Sequence, residues 1–357
     1  MSLKIGVAGL RRGTGPALVL KQHAECELAA VCDPFPGRAE AFARQHDVRQ
    51  WFDDYSAFCA ANLDAIVVAT PAPVHVACAV EAMRAGKHVL SEVPACWDLD
   101  QARELVQVVR ETGLKYMFGE NMCYFAYCQS YVEMLRRGDI GEVIYVEGEY
   151  IHNCDSLMTE MGPDGQQRLT WRTRMPPIQY CTHELGPILQ WLEDRIVSAT
   201  GLSTGCRRKP EWGVTDMEVG LFRTARGAIV KVLCGFSVAK EPAHHWFTVY
   251  GTRGHLESPR WPDGQHRLQS DLIPYMAEHA RLNLGINHPG APPEATVGGH
   301  GTSEYFMCND FVRCILDDTK PAIDVYEGLD MTLPGICAHL SAEQGGQLVE
   351  VPDPREW

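Results

Sequence analysis

Lys4-Ile5-Gly6-Val7-Ala8-Gly9-Leu10-Arg11-Arg12-Gly13-Thr14-Gly15-Pro16 is the stretch on which the fold turns: an apolar run, a glycine-rich turn, then helical character from Pro16. Such a turn lets backbone N–H groups and a helix N-terminus approach a pyrophosphate. The string departs from Gly-x-Gly-x-x-Gly, because Arg11 stands at the second glycine position. Twenty residues beyond Gly13 the next apolar run ends at Asp33. A carboxylate there suits the adenosine ribose hydroxyls and repels a 2′-phosphate, which favours NAD over NADP. Arg11 and Arg12 pull the other way, since either could meet a phosphate. Gly9, Gly13 and Asp33 are thus candidate cofactor residues.

Outward from this turn, the chain alternates between two periodicities. Candidate strands cover residues 4–8, 28–32, 65–69, 88–92 and 115–118; candidate helices cover 36–46, 75–85 and 98–112. In the last helix Ala102, Leu105, Val106 and Val109 recur at helical spacing. Strand–helix alternation implies a parallel sheet with helices on both faces, a doubly wound Rossmann arrangement. Ligands of such sheets bind beyond the carboxyl ends of the strands. Thr70 and His75 follow one strand, Glu92 the next and Asn121 the one after, so these side chains are expected to line one crevice.

At about 150 residues per domain, the 357 residues predict two domains, set here at 1–122 and 123–357. The net charge of −14 repels phosphate backbones and anionic lipid, which argues against nucleic-acid and membrane partners. The fourteen cysteines include no Cys-x-x-Cys pair, so they read as reduced, core-filling thiols and no metal is assigned. The first residues run straight into a strand pattern without a leader-like segment, and a cytoplasmic location is expected.

The string Ala85-Gly86-Lys87-His88-Val89-Leu90-Ser91-Glu92-Val93-Pro94 resembles the Gly-Lys-His-Val-x-x-Glu-Lys-Pro signature of the Gfo/Idh/MocA family of oxidoreductases. The resemblance implies an N-terminal Rossmann domain and a C-terminal α/β domain with a large open, mostly antiparallel sheet. The family's lysine, which assists proton transfer in simple sugar dehydrogenases, is Val93 here. A narrower branch, the NAD-dependent, redox-neutral glycosidases of the α-N-acetylgalactosaminidase type, carries Glu-Val-Pro at this point. The branch is also similar in Glu120-Asn121-Met122-Cys123-Tyr124, Glu149-Tyr150-Ile151-His152-Asn153, Trp171-Arg172 and Tyr180-Cys181-Thr182-His183. Two departures stand out: Cys181 replaces a proline, and Ala72-Pro73-Val74-His75 replaces a Trp-x-x-His motif.

Residue by residue, the resemblance implies that Leu10, Arg11, Asp33, His75, Glu92, Val93, Asn121 and His183 border NAD. Tyr150, Arg172, Tyr180 and His183 would face a small sugar or glycoside. It also implies a homo-oligomer, dimer or tetramer, formed through the open sheet.

In the second half, a long strand begins near residue 140, and residues two apart on a strand share a face, so Tyr150 and His152 project together. His183 opens a helix that Thr182 is expected to cap, with Leu185, Ile188, Leu189 and Leu192 at helical spacing. Residues 259–301 read as a long loop, and His244 and His245, being adjacent, as strand or edge residues. The expected chemistry is hydride removal from carbon 3 of a pyranoside, with His183 or Tyr150 accepting the hydroxyl proton. Proton removal from carbon 2 by Tyr150, with His152 as the other candidate base, elimination of the aglycone, water addition and reduction follow. A net sugar or polyol dehydrogenase is the alternative, and a non-catalytic NAD-bound sensor a third.

Overall fold

The computed structural model describes residues 2–261 and 263–357. The chain divides into two compact units, one of residues up to Phe125 with Ile286–Leu329 and Pro354–Trp357, the other of Ala126–Gly285 with Asp330–Asp353.

The first unit holds β1 (Leu3–Ala8), α1 (Thr14–Gln22), β2 (Cys26–Cys32), α2 (Arg38–Gln45), β3 (Gln50–Phe52), α3 (Tyr55–Cys59), β4 (Ala65–Val68), α4 (His75–Arg84), β5 (His88–Ser91), α5 (Leu99–Thr112) and β6 (Tyr116–Phe118). Its six strands are parallel in the order β3-β2-β1-β4-β5-β6, the doubly wound topology expected. Strands covered on both faces must be apolar throughout, and all four residues of β4, Ala-Ile-Val-Val, are buried. α5 is delimited by local chemistry: the Asp98 carboxylate accepts from the Gln101 N–H at 2.8 Å, and Gly113 ends it at φ +64. The 50–59 segment escaped the sequence reading, because β3 is three residues long with two of them exposed and carries no alternation to detect.

The unit boundary corrects the expected division at 122/123. Residues 286–329 return to the first unit, because the helix Ser303–Leu316 buries Met307, Cys308, Phe311 and Val312 in one cluster with Ile5, Val7, Leu20 and Val31. Each such side chain contributes roughly 1.5–3 kcal/mol by leaving water, enough to hold the returning helix.

The second unit holds α6 (Ala126–Arg136), β7 (Val143–Ile151), a hairpin of β8 (Thr159–Met161) and β9 (Gln167–Leu169), α7 (Thr182–Leu192), β10 (Ile196–Ser203), β11 (Met217–Thr224), β12 (Ile229–Gly235), β13 (His245–Gly251), β14 (Gly254–Glu257), β15 (His266–Ser270) and β16 (Ala280–Leu282). α8 (Ser303–Leu316) belongs to the first unit, and α9 (Val325–Glu343) leads back into the second, which closes with β17 (Val349–Glu350). The large sheet runs β16-β15-β14-β13-β7-β12-β11-β10-β17, antiparallel except for the β7–β12 pair. β11 alternates between buried and more exposed residues, as a strand with one covered face must. α7 packs on that face at Gly148, where a Cβ would stand 3.0 Å from Glu184.

Two expectations are corrected. Residues 259–301 are not a plain loop: β15 and β16 extend the sheet edge, their polar composition having hidden them. Thr182 does not cap α7, because a 3-10 turn at Pro177–Tyr180 feeds directly into the helix, the Cys181 carbonyl accepts from Leu185, and Thr182 is fully buried inside the first turn. The cysteines are free thiols, buried except for Cys78 and Cys206, which are partly exposed. Among the described residues no helix is long and apolar enough to cross a membrane.

Candidate active site

In the first unit, β1 ends at Ala8 and the chain turns at Gly9, whose φ is +88. A Cβ at Gly9 would lie 2.3 Å from the Ala69 carbonyl oxygen, so only glycine fits between the ends of β1 and β4. The Gly13 N–H donates to the Gly9 carbonyl at 3.0 Å, and the Thr14 hydroxyl to the Leu10 carbonyl at 2.9 Å. α1 therefore starts at Thr14, two residues ahead of Pro16. Asp33, 3% exposed, accepts from the Leu10 N–H at 2.8 Å and the Phe35 N–H at 2.9 Å, which ties the end of β2 to the glycine turn. The Arg38 guanidinium lies 3.1 Å from Asp33 and 4.3 Å over the Phe35 ring. The Asp33 carboxylate thus carries a cationic neighbour that the sequence reading did not include.

Arg12, one of the two arginines considered for a phosphate, pairs instead with Glu92 at 3.0 Å and with Glu304. Glu304 is fully buried and also meets His300 Nδ1 at 3.0 Å. Arg11 is exposed beside it on the turn. His75, 2% exposed, faces the Pro94 carbonyl through Nδ1 at 3.0 Å and the Thr70 carbonyl through Nε2 at 2.6 Å. Its ring braces the turns after β4 and β5 against each other. Val93, in the turn after β5, is buried. Asn121 is buried at the start of a short turn, Asn121–Tyr124, held by the Glu120 carboxylate accepting from the Met122 N–H at 3.1 Å. A turn shaped by close backbone approach, opening onto a helix N-terminus with an acidic residue at the next strand end, fits a dinucleotide.

In the second unit, Tyr150 and His245 face each other in register on β7 and β13, with rings stacked 4.4 Å apart at 27°. His183, in the first turn of α7, stands edge-on to Tyr150 at 5.3 Å; Phe236 does so at 4.9 Å, and Tyr180 is 6.2 Å away. The Arg172 guanidinium lies 5.5 Å from the Tyr180 ring and 4.6 Å from Trp171. Glu184, fully buried, receives a 2.7 Å hydrogen bond from His245 Nδ1. With Nδ1 donating to the carboxylate, any further proton the ring exchanges passes through Nε2.

Burial pushes the Tyr150 hydroxyl well above its ordinary range, reinforced by Tyr180, Cys154 and Glu184, while Arg172 opposes the shift. The resting side chain is a neutral phenol. His152 is held below the usual imidazole range by burial and then by His244, so it is neutral at pH 7. Its ring stacks on His244 at 4.2 Å and stands 6.1 Å from Tyr150. Tyr150, Tyr180, His183 and Arg172 are therefore together, and His152 joins them at Tyr150 while stacking on His244 on its other side. Sequence reasoning missed His245 and Glu184. Glu184 follows His183 directly, but only the packing of α7 on β7 and β13 makes it a partner of His245.

Three family models match the chain: the oxidoreductase family, NAD-binding Rossmann fold, over residues 3–120; the GFO/IDH/MocA C-terminal domain over 129–257; and the glycosyl hydrolase 109 C-terminal domain over 289–356. A glycosyl hydrolase family 109 protein of Solibacter usitatus is 26% identical, across 99% of this chain and 88% of that protein. An alpha-N-acetylgalactosaminidase of Shewanella oneidensis is 23% identical, across 92% of this chain and 79% of that protein. Scyllo-inositol dehydrogenase from Lactobacillus casei, solved with NAD(H) and scyllo-inositol, shares the fold with a TM-score of 0.75 at 18% identity, over 98% of this chain and 99% of that one. With a glycine turn built for a dinucleotide, a large open sheet beside it in sequence, and these matches in order along its length, the chain belongs to the Gfo/Idh/MocA family of NAD-binding oxidoreductases, on the branch that carries the glycosyl hydrolase 109 C-terminal domain.

Proposed function

We propose that this enzyme cleaves small glycosides by a redox-neutral route that opens with oxidation at carbon 3 of the pyranose ring. The observation that carries the reading is the Tyr150–His245–Glu184 arrangement with His183 at its edge. It is built to move protons. Ordinary glycosidases place two carboxylates across the scissile bond, and Glu184, fully buried and bonded to His245, is not available for that duty.

Gly9, Leu10, Arg11, Gly13, Asp33, Thr70, Glu92, Val93 and Asn121 would hold NAD, with His75 bracing them. When bound, NAD supplies a reversible hydride acceptor, the chemistry that oxidising a ring hydroxyl and later restoring it requires. His183 accepts the carbon 3 hydroxyl proton. The carbon 3 ketone then acidifies the hydrogen on carbon 2. His245 takes a proton through Nε2, its imidazolium stabilised by the Glu184 carboxylate, and Tyr150, as a phenol, relays protons between it and the sugar. This assignment moves the base from Tyr150, the choice from sequence, to the imidazole beside it, because the buried hydroxyl holds its proton. Loss of the aglycone from carbon 1 gives an enone, water adds to it, and the relay runs backwards. Arg172 and Tyr180 orient the sugar.

The relatives named as glycosyl hydrolase 109 proteins and alpha-N-acetylgalactosaminidase support this reading, as does Val93 where simple dehydrogenases of the family carry lysine. The exposed Ile144, Leu221 and Tyr250 of β7, β11 and β13 support self-association as a dimer or tetramer. The test is incubation with NAD and a panel of p-nitrophenyl glycosides, following nitrophenolate and NADH together. Nitrophenolate release without accumulating NADH is expected. NADH accumulating in step with substrate would instead make this a net sugar or polyol dehydrogenase, and neither signal across the panel would leave the NAD-bound sensor.

A further inference from the structure

His152, Glu241 and His244 place two imidazoles and a carboxylate with their ligand atoms all within 4.8 Å of one another. The sequence offers no warning of this, because five strands, β8 to β12, separate His152 from Glu241 and His244 in chain order. The fold brings them together through backbone bonds: the Ile151 N–H donates to the His244 carbonyl at 3.0 Å, and the His152 N–H to the Gly235 carbonyl at 2.9 Å. His152 is thereby fixed between the ends of β12 and β13. Glu241 and His244 approach to 3.4 Å between Oε1 and Nε2. Two ligand atoms about 2.0–2.1 Å from a tetrahedral ion stand roughly 3.3 Å apart, so this pair is already at ligand spacing.

The local charges also bear on an ion. Arg172, whose charge is also felt at His152, opposes a cation, and the Glu241 carboxylate offsets it. His244 has 53% of its side chain exposed and Glu241 23%, which leaves a path for an ion and a position for water. Two imidazoles, one carboxylate and a water is a donor set of borderline divalent ions, zinc and cobalt above all, and not of magnesium or calcium.

We propose that His152, Glu241 and His244 form a binding site for one divalent transition-metal ion. The occupied site removes His152 from proton transfer and leaves that work to His183, His245 and Tyr150.

The test uses the full chain, stripped with a chelator and titrated with cobalt(II), read by calorimetry and by visible absorption. The expected result is one ion per chain with a tetrahedral nitrogen–oxygen spectrum. His244→Ala and Glu241→Gln, each checked for folding by circular dichroism, should each weaken binding by at least about 100-fold, since even partners one shell removed cost 10–100-fold. Should one of them fail to fold, the other carries the comparison. Absence of stoichiometric binding overturns the proposal. So does binding that survives both substitutions, or a sulfur-to-cobalt charge-transfer band, which would place the ion on the free cysteines.

Discussion

Replacing Gly9 with alanine tests the cofactor turn at its tightest point. The backbone there has φ +88, and an added Cβ would stand 2.3 and 2.6 Å from the Ala69 carbonyl oxygen and carbon and 2.9 Å from the Thr70 nitrogen. All three are backbone atoms, so no side chain can swing aside. The left-handed conformation alone costs alanine roughly 1–2 kcal/mol, and forcing a methyl into a filled space adds about 1–3 kcal/mol. The sum is about 2–5 kcal/mol. Gly37→Ala is the control: its φ is +75, but nothing lies within 4 Å of an added Cβ, so it carries the conformational cost without the collision. Urea denaturation should show Gly9→Ala destabilised by about 1–3 kcal/mol more than Gly37→Ala. Because relief of the clash shifts the strand-end turn at Ala69-Thr70, NAD titration by calorimetry should also show at least about tenfold weaker binding, or 1.4 kcal/mol. Equal destabilisation of the two variants, or wild-type NAD affinity in Gly9→Ala, would refute the reasoning.

Other consequences can be read with standard assays. Tyr150→Phe keeps the stack on His245 and loses only the hydroxyl, so stability should stay within about 1 kcal/mol while glycoside cleavage falls about 10²- to 10⁴-fold; full retained activity would remove Tyr150 from the relay. His245→Gln still donates to Glu184 but cannot cycle a proton, so kcat should fall over a similar range with KM little changed, as steady-state kinetics would report. Asp155, bridged by Arg208 at 2.7 and 2.8 Å and by Lys209 at 3.0 Å, is pulled down to about 2 chiefly by its hydrogen bond to Arg208. Because the folded value lies below the unfolded one, its stabilisation is present above the ordinary aspartate range and is lost as pH falls through about 2. Asp155→Asn should therefore cost about 1 kcal/mol near neutrality and nothing at the acid end, measured by urea midpoints across pH.

The first sheet was legible because each of its longer strands holds an unbroken apolar run, residues 5–8 in β1 and 28–32 in β2, and the longer helices carry their own period; even so, the short β3 and α3 showed no pattern. Asp33 and the glycine turn could be paired from spacing, but Arg38 and Glu304 could not, since an ion pair has no periodicity. On the larger sheet, Tyr150 and His183 were found through motif resemblance, which also supplied Arg172 and Tyr180. His245 was set aside because adjacency to His244 is poor spacing for two groups on one face. The register of β7 against β13 decides otherwise, stacking His245 on Tyr150 while His244 turns to His152. The returning helix α8 escaped notice for a related reason: which sheet an amphipathic helix covers is a property of tertiary packing.

The measurement closest to the central claim is cleavage of a p-nitrophenyl glycoside in D2O, with the released sugar examined by NMR and mass spectrometry. Oxidation followed by elimination strips the hydrogen from carbon 2 and restores one from solvent, so the account predicts a single non-exchanging deuterium at that carbon. A sugar released with its original carbon 2 hydrogen intact would contradict it.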